Sequence, residues 1–100
     1  YDKKIQFSNH LYILMINPNK TKKKRDDLIN YFKKKNIVTS IHYIPIHGHP
    51  YFKKYKFKLN QFDNANFYNE NAISLPIFPD LSNKKQEYIV QSIRKFFNKK

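Results

Sequence analysis

Three of the chain's four histidines, His42, His47 and His49, fall within IHYIPIHGHPYF, residues 41–52, among Pro45, Pro50, Tyr43, Tyr51 and Phe52. Such a cluster could do four things. Neutral imidazole ligates zinc, but spacings of five and two give no helical H-x3-H pair, the chain holds no cysteine, and the next carboxylate, Asp63, lies fourteen residues beyond His49. Histidine titrates in the physiological range and suits general acid–base work, yet that role needs a nucleophile or cofactor that spacing does not reveal. Imidazole, phenol and lysine beside a proline-stiffened bend could hydrogen-bond phosphate oxygens, each charged contact contributing roughly 1.5–3 kcal/mol. Finally, His42 could be a half-buried strand residue and the other two plain loop residues. By residue type alone the structural account is the simplest, while anion binding uses the most features.

The elements that position these groups can be read from periodicity and punctuation. HLYILMI, residues 10–16, predicts a short strand buried on both faces and closed by Asn17, Pro18 and Asn19. Lys22, Lys23 and Lys24 read as solvated surface. Residues 25–35 predict a helix with Leu28, Ile29 and Phe32 on one face, Asp26 and Asp27 in the first turn and Lys33–Lys35 in the last, so that charge complements the helix dipole. Asn36 supplies a left-handed stop.

IVTSIHYI, residues 37–44, predicts a second strand ended by Pro45. Alternation in a regular strand would turn His42 and Tyr43 to opposite faces, so both reach one ligand only if the chain twists or stops near Tyr43. Pro50 opens a short helix through Tyr55, with Tyr51, Phe52 and Tyr55 expected to pack inward. Asp63 is expected to cap a helix over 64–71, with Ala65, Tyr68 and Ala72 at helical spacing. ISLPIFP, residues 73–79, reads as a bent edge strand, and Ser82 as the cap of a last helix in which Ile89, Ile93, Phe96 and Phe97 share a face and Lys95, Lys99 and Lys100 gather at the end. The expected fold class is α+β, a small antiparallel sheet with helices packed on one face.

Bulk composition bounds the rest. One hundred residues with 40% hydrophobic content suffice for one domain, and no run reaches the roughly 20 apolar residues of a membrane span. Without a signal-peptide pattern at the start, a cytoplasmic location is expected. Residue 1 is tyrosine and the single methionine is Met15, as in a piece of a longer chain. The net charge of +13 invites nucleic-acid binding as an alternative function. However, only Arg25 and Arg94 among the 20 basic residues are arginines, whereas base-edge and bidentate phosphate contacts favour guanidinium. Lysine together with abundant Asn, Ile, Tyr and Phe reads instead as compositional bias.

The succession HLYILMI, R-D-D-L with a helix ending KKKNI, TSIHYIPIHGHPYF, a helix running into ISLPIFP, and a closing amphipathic helix resembles the C-terminal small domain of the DegT/DnrJ/StrS sugar aminotransferases. It is most similar to those that aminate a nucleotide-linked keto-sugar on the way to pseudaminic acid or related surface sugars. The likeness spans nearly all 100 residues, with HYIPIHGHPYF and SLPIFP as its anchors. It implies a fold type I enzyme dependent on pyridoxal phosphate, a homodimer that moves an amino group from glutamate to a nucleotide-linked 4-keto-sugar. The family's Schiff-base lysine belongs to an upstream large domain. No lysine here matches it, so residues 1–100 are expected to lack that domain, to hold no catalytic residue and to be inactive alone. By resemblance, His42 and Tyr43 match a His-Tyr pair near the substrate's diphosphate and sugar, and His47 matches the second histidine of that loop. Asn36 departs from the family's usual glycine. No metal, nucleic acid or membrane partner is expected.

Overall fold

The computed structural model describes residues 3–6 and 8–98. Its elements are β1 (Tyr12–Met15), α1 (Arg25–Lys34), α2 (Asp63–Asn71), β2 (Ala72–Leu75) and α3 (Asn83–Asn98), with three short 3-10 helices at Ile46–Gly48, Pro50–Tyr55 and Leu59–Phe62. This is an α+β arrangement with a two-stranded antiparallel sheet. Lys99 and Lys100, expected to gather with Lys95, lie outside the described residues.

Local chemistry accounts for both long helices. The backbone N–H of Lys24 donates to the Asp27 carboxylate at 3.2 Å, so one acidic residue of the first turn satisfies an otherwise unpaired donor at the start of α1. At the other end Asn36 takes a φ of 58°. Its N–H donates to the Lys33 carbonyl and that of Ile37 to the Phe32 carbonyl, the pair of bonds that defines a Schellman stop. Ser82 caps α3: its hydroxyl accepts from the Lys85 N–H at 3.3 Å and its carbonyl from the Gln86 N–H at 3.0 Å.

The core forms where β1, β2, α1 and α3 meet. Leu28, Phe32 and Ile73 are fully buried, joined by Ile16, Ile37, Ile89 and Phe96. Fully burying one such side chain contributes about 1.5–3 kcal/mol. The helices also satisfy one another's ends. Tyr88 of α3 donates its hydroxyl to the Lys35 carbonyl at the end of α1, while Lys23, just before α1, donates to the Phe96 carbonyl near the end of α3 and sits over the Phe96 ring. These reciprocal contacts make α1 and α3 antiparallel neighbours. Lys23 is thus a half-buried cation at a helix C-terminus and not part of a solvated lysine run.

The sheet departs from expectation at β1. β1 was expected to be buried on both faces, yet Tyr12 is 61% exposed and Ile13 and Met15 are also exposed, because this strand is paired only along β2. β2 is the other strand of the two-stranded sheet, short and at an edge as expected, with one isolated bridge to Ser40 on its far side and Ala72, Ile73 and Ser74 all buried. Pro76 follows the paired residues and so removes no ladder donor from them.

The expected strand over 37–44 reduces to that single Ser40–Ser74 bridge. β-Branched residues there had the right propensity, but propensity becomes a strand only where backbone groups pair along its length, and in this segment Ser40 exchanges the backbone hydrogen bonds with β2. Three smaller expectations also fail. Asp63 is the first residue of α2 and makes no cap; the residue before the helix is Phe62, which has no side-chain cap bond. Ala65 is exposed and Ala72 belongs to β2, so they share no helical face. Tyr51 and Tyr55 do not pack inward, being 69% and 56% exposed.

Candidate functional site

Strand alternation decides what β2 presents on each face. Ile73 and Leu75 point to the helical core, which leaves Ala72 and Ser74 on the opposite face. There Ser74 holds the 40–43 segment at two points. Its backbone exchanges hydrogen bonds with Ser40, at 2.8 and 3.2 Å, and its hydroxyl lies 2.8 Å from Nδ1 of His42. Ser74 is buried, His42 half-buried and Tyr43 exposed. The imidazole is therefore fixed from behind, with its Nε2 edge not engaged by the serine. Because a hydroxyl both donates and accepts, Ser74 can partner either tautomer.

Residues 41–44 are not a regular strand, so alternation does not separate His42 from Tyr43. The peptide bond between them is cis. Their rings meet edge to face with centroids 4.9 Å apart. The phenol beside the pinned imidazole is largely open to solvent, so the pair can offer a ligand two hydrogen-bonding groups at once.

His47 is placed by other means. Its Nε2 lies 2.6 Å from Oδ1 of Asn66 in α2, and its ring stacks on Phe62 at a centroid distance of 4.6 Å. His49 is exposed and donates from Nε2 to the Ile44 carbonyl at 3.1 Å, closing the proline-flanked loop on itself. Gly48 suits this tight turn, since an added Cβ would come within 3.1 Å of the Ile44 side chain. The structure thus brings His42 and Tyr43 into direct contact and gives His47 and His49 separate partners. Among the described residues no three His, Cys, Asp or Glu side chains are grouped to hold a metal ion.

The electrostatic setting is one-sided. From Leu28 to Phe62 the chain contains no acidic residue, while it carries seven lysines and three histidines. Ligand oxygens near this loop meet no carboxylate from its own segment. Ser74 is the residue that sequence reading passed over. Its signal was a hydroxyl inside the otherwise apolar run AISLPIF, a polar group that must find a partner once buried.

Pyridoxal phosphate does not fit this chain alone. A cofactor-bearing lysine needs an enclosed site, and every described lysine is exposed or half-buried; Lys23, one of the half-buried ones, is engaged at the end of α3. No helix of the described residues is long and apolar enough to cross a membrane.

Comparison with known proteins places these features in context. The family model described as DegT/DnrJ/EryC1/StrS aminotransferase family matches residues 1–94. The chain is 38% identical over 94 residues to the uncharacterized protein MJ1066 of Methanocaldococcus jannaschii, covering 93% of this chain and 24% of that protein. It is 36% identical over 87 residues to the spore coat polysaccharide biosynthesis protein SpsC of Bacillus subtilis, covering 85% and 22%. Among solved structures, Spr1654 from Streptococcus pneumoniae in its PMP-form superposes with a TM-score of 0.77 at 26% identity, over 88% of this chain and 22% of that one. The chain accordingly spans less than a quarter of the length of each of these relatives.

Proposed function

Since the chain belongs to the DegT/DnrJ/EryC1/StrS aminotransferase family, we propose that it is the C-terminal small domain of a pyridoxal-phosphate-dependent sugar aminotransferase. The substrate would be a nucleotide-linked 4-keto-sugar, of the kind that leads to pseudaminic acid or a related surface sugar, with glutamate as amino donor. The full protein would work as a homodimer in the cytoplasm, and a large domain outside these residues would supply the cofactor and its lysine. Residues 1–100 by themselves would be inactive. The kinship with SpsC, a polysaccharide biosynthesis protein, supports the surface-sugar setting.

Within that enzyme the 40–47 segment would close one side of the substrate cleft, with His42 and Tyr43 contacting the diphosphate and His47 bracing or extending the same wall. The observation that carries this reading is the buried Ser74 hydroxyl 2.8 Å from His42, which orients an imidazole beside an exposed phenol in a segment that holds no carboxylate of its own. A radius of gyration of 16.0 Å, against about 13 Å for a compact chain of this length, agrees with a domain shaped to meet further protein.

The test is amination of a nucleotide-linked 4-keto-sugar by the purified full-length parent. His42→Ala is expected to raise the sugar-nucleotide KM, or lower kcat/KM, by about tenfold or more, as for loss of one charged hydrogen bond. A parent that binds no pyridoxal phosphate would refute the enzyme assignment, and unchanged kinetics in His42→Ala would remove that residue from the site.

A further inference from the structure

One continuous stretch of chain holds both half-buried imidazoles of the loop. α2 runs without a break into β2, and this unit presents Ser74 to His42 and, one turn into the helix, Asn66 to His47. The two contacts differ in chemistry. A hydroxyl both donates and accepts, so Ser74 leaves His42 free to carry its proton on either nitrogen. An amide oxygen only accepts. With Oδ1 of Asn66 2.6 Å from Nε2 of His47, Nε2 holds the proton, and in the neutral ring Nδ1 is then an unprotonated lone pair.

The plane of the His47 ring is held as well as its edge. Phe62 stacks on it with 20° between the ring planes, and Phe57 backs Phe62 edge to face at 5.3 Å. Nδ1 has no hydrogen-bond partner among the described residues, and no buried side-chain nitrogen or oxygen among them lacks one, so Nδ1 meets solvent. A lone pair cannot bond an ionised phosphate oxygen, which has no proton to give. It accepts from a hydroxyl, the group in which a sugar is rich. Resting on the sugar-nucleotide reading above, we propose that Asn66 is a positioning residue: it holds His47 as the Nε2–H tautomer and so makes Nδ1 an acceptor for a sugar hydroxyl, leaving the diphosphate to His42 and Tyr43.

Proton–nitrogen correlation spectra of the full-length parent, isotopically labelled in its histidine nitrogens, test this at about pH 9, where imidazole is ordinarily neutral. His47→Gln identifies the His47 signals by their loss. In the wild type Nδ1 should appear as an unprotonated nitrogen and Nε2 as a protonated one. Asn66→Ala should bring the two shifts toward each other as the tautomers exchange, and Asn66→Asp, whose carboxylate also only accepts, should keep them apart. Without amino donor, a nucleotide-linked 4-keto-sugar should shift Nδ1, whereas inorganic pyrophosphate should not. In amination, Asn66→Ala should raise the sugar-nucleotide KM about 2- to 10-fold, as for one neutral hydrogen bond, and add nothing in a variant that already carries His47→Ala. A proton on Nδ1 in the wild type or in Asn66→Asp, an unchanged tautomer in Asn66→Ala, or a shift of Nδ1 by pyrophosphate overturns the inference while leaving amination by the parent intact. A parent that aminates no nucleotide-linked 4-keto-sugar overturns the sugar-nucleotide reading and the hydroxyl role with it, and the spectra of the wild type and Asn66→Asp still decide whether Asn66 sets the tautomer.

Discussion

Nδ1 of His42 lies 2.8 Å from the hydroxyl of Ser74, a residue 32 positions later in the chain. The same serine pairs its backbone with Ser40, so one buried residue of β2 fixes both the approach and the ring orientation of the imidazole. Ser74→Ala should keep the Ser40 bridge and free the ring. The expected result in the full-length parent is a loss of about 1 kcal/mol, roughly fivefold in sugar-nucleotide KM, and smaller than that of His42→Ala. Steady-state kinetics of the two single variants and the double variant check it: if Ser74 acts through His42, the double variant is no worse than His42→Ala.

Tyr43 is 73% exposed, so its side chain adds little to the fold. Tyr43→Phe should leave stability within about 0.5 kcal/mol of wild type. If the phenol hydrogen-bonds the diphosphate, the same change should raise the sugar-nucleotide KM by about tenfold or more, the value of a bond to a charged group. Thermal denaturation and initial-rate measurements on one preparation separate the two effects.

Phe32 is fully buried where α1, α3 and the sheet meet. Phe32→Ala should cost about 3–5 kcal/mol through lost burial and the cavity left behind. Urea unfolding monitored by circular dichroism should show a large fall in midpoint, whereas Tyr51→Ala at an exposed ring should scarcely move it.

Asn36 and Ser82 stop and start the two core helices. At a φ of 58°, Asn36→Ala should cost about 1 kcal/mol, because alanine keeps the Cβ that crowds the following carbonyl but loses the short amide whose local hydrogen bonding offsets it, while Asn36→Gly, which removes the Cβ, should be neutral or mildly stabilising. Ser82→Ala should also cost about 1 kcal/mol. The two alanine changes act at separate helix ends, so their effects should add in equilibrium unfolding; marked non-additivity would point to coupling between the ends.

The parts of the fold that were legible in the sequence are those set by neighbours along the chain. The faces of α1 and α3, the Asn36 stop and the Ser82 cap depend on spacings of three or four residues and on single-residue backbone preferences. The resemblance carried by HYIPIHGHPYF and SLPIFP likewise needed only order and spacing, and it led to the family that residues 1–94 match. Strand roles were not legible. Residues 37–44 are richer in β-branched residues than 12–15, yet only the latter pair along their length, because a strand exists through its partner's hydrogen bonds and not through its own residues.

The site divides along the same line. Sequence by itself determined that imidazoles, phenols and lysines crowd a proline-bent loop without acidic company, since composition and order are enough for that. Only the tertiary structure decided which of them stand together: it turned Ser74 away from the core to meet His42, gave His47 to Asn66, and left Tyr51 and Tyr55 facing solvent. Contacts between residues far apart in the chain depend on which face each element buries, and that choice is made by the whole core at once.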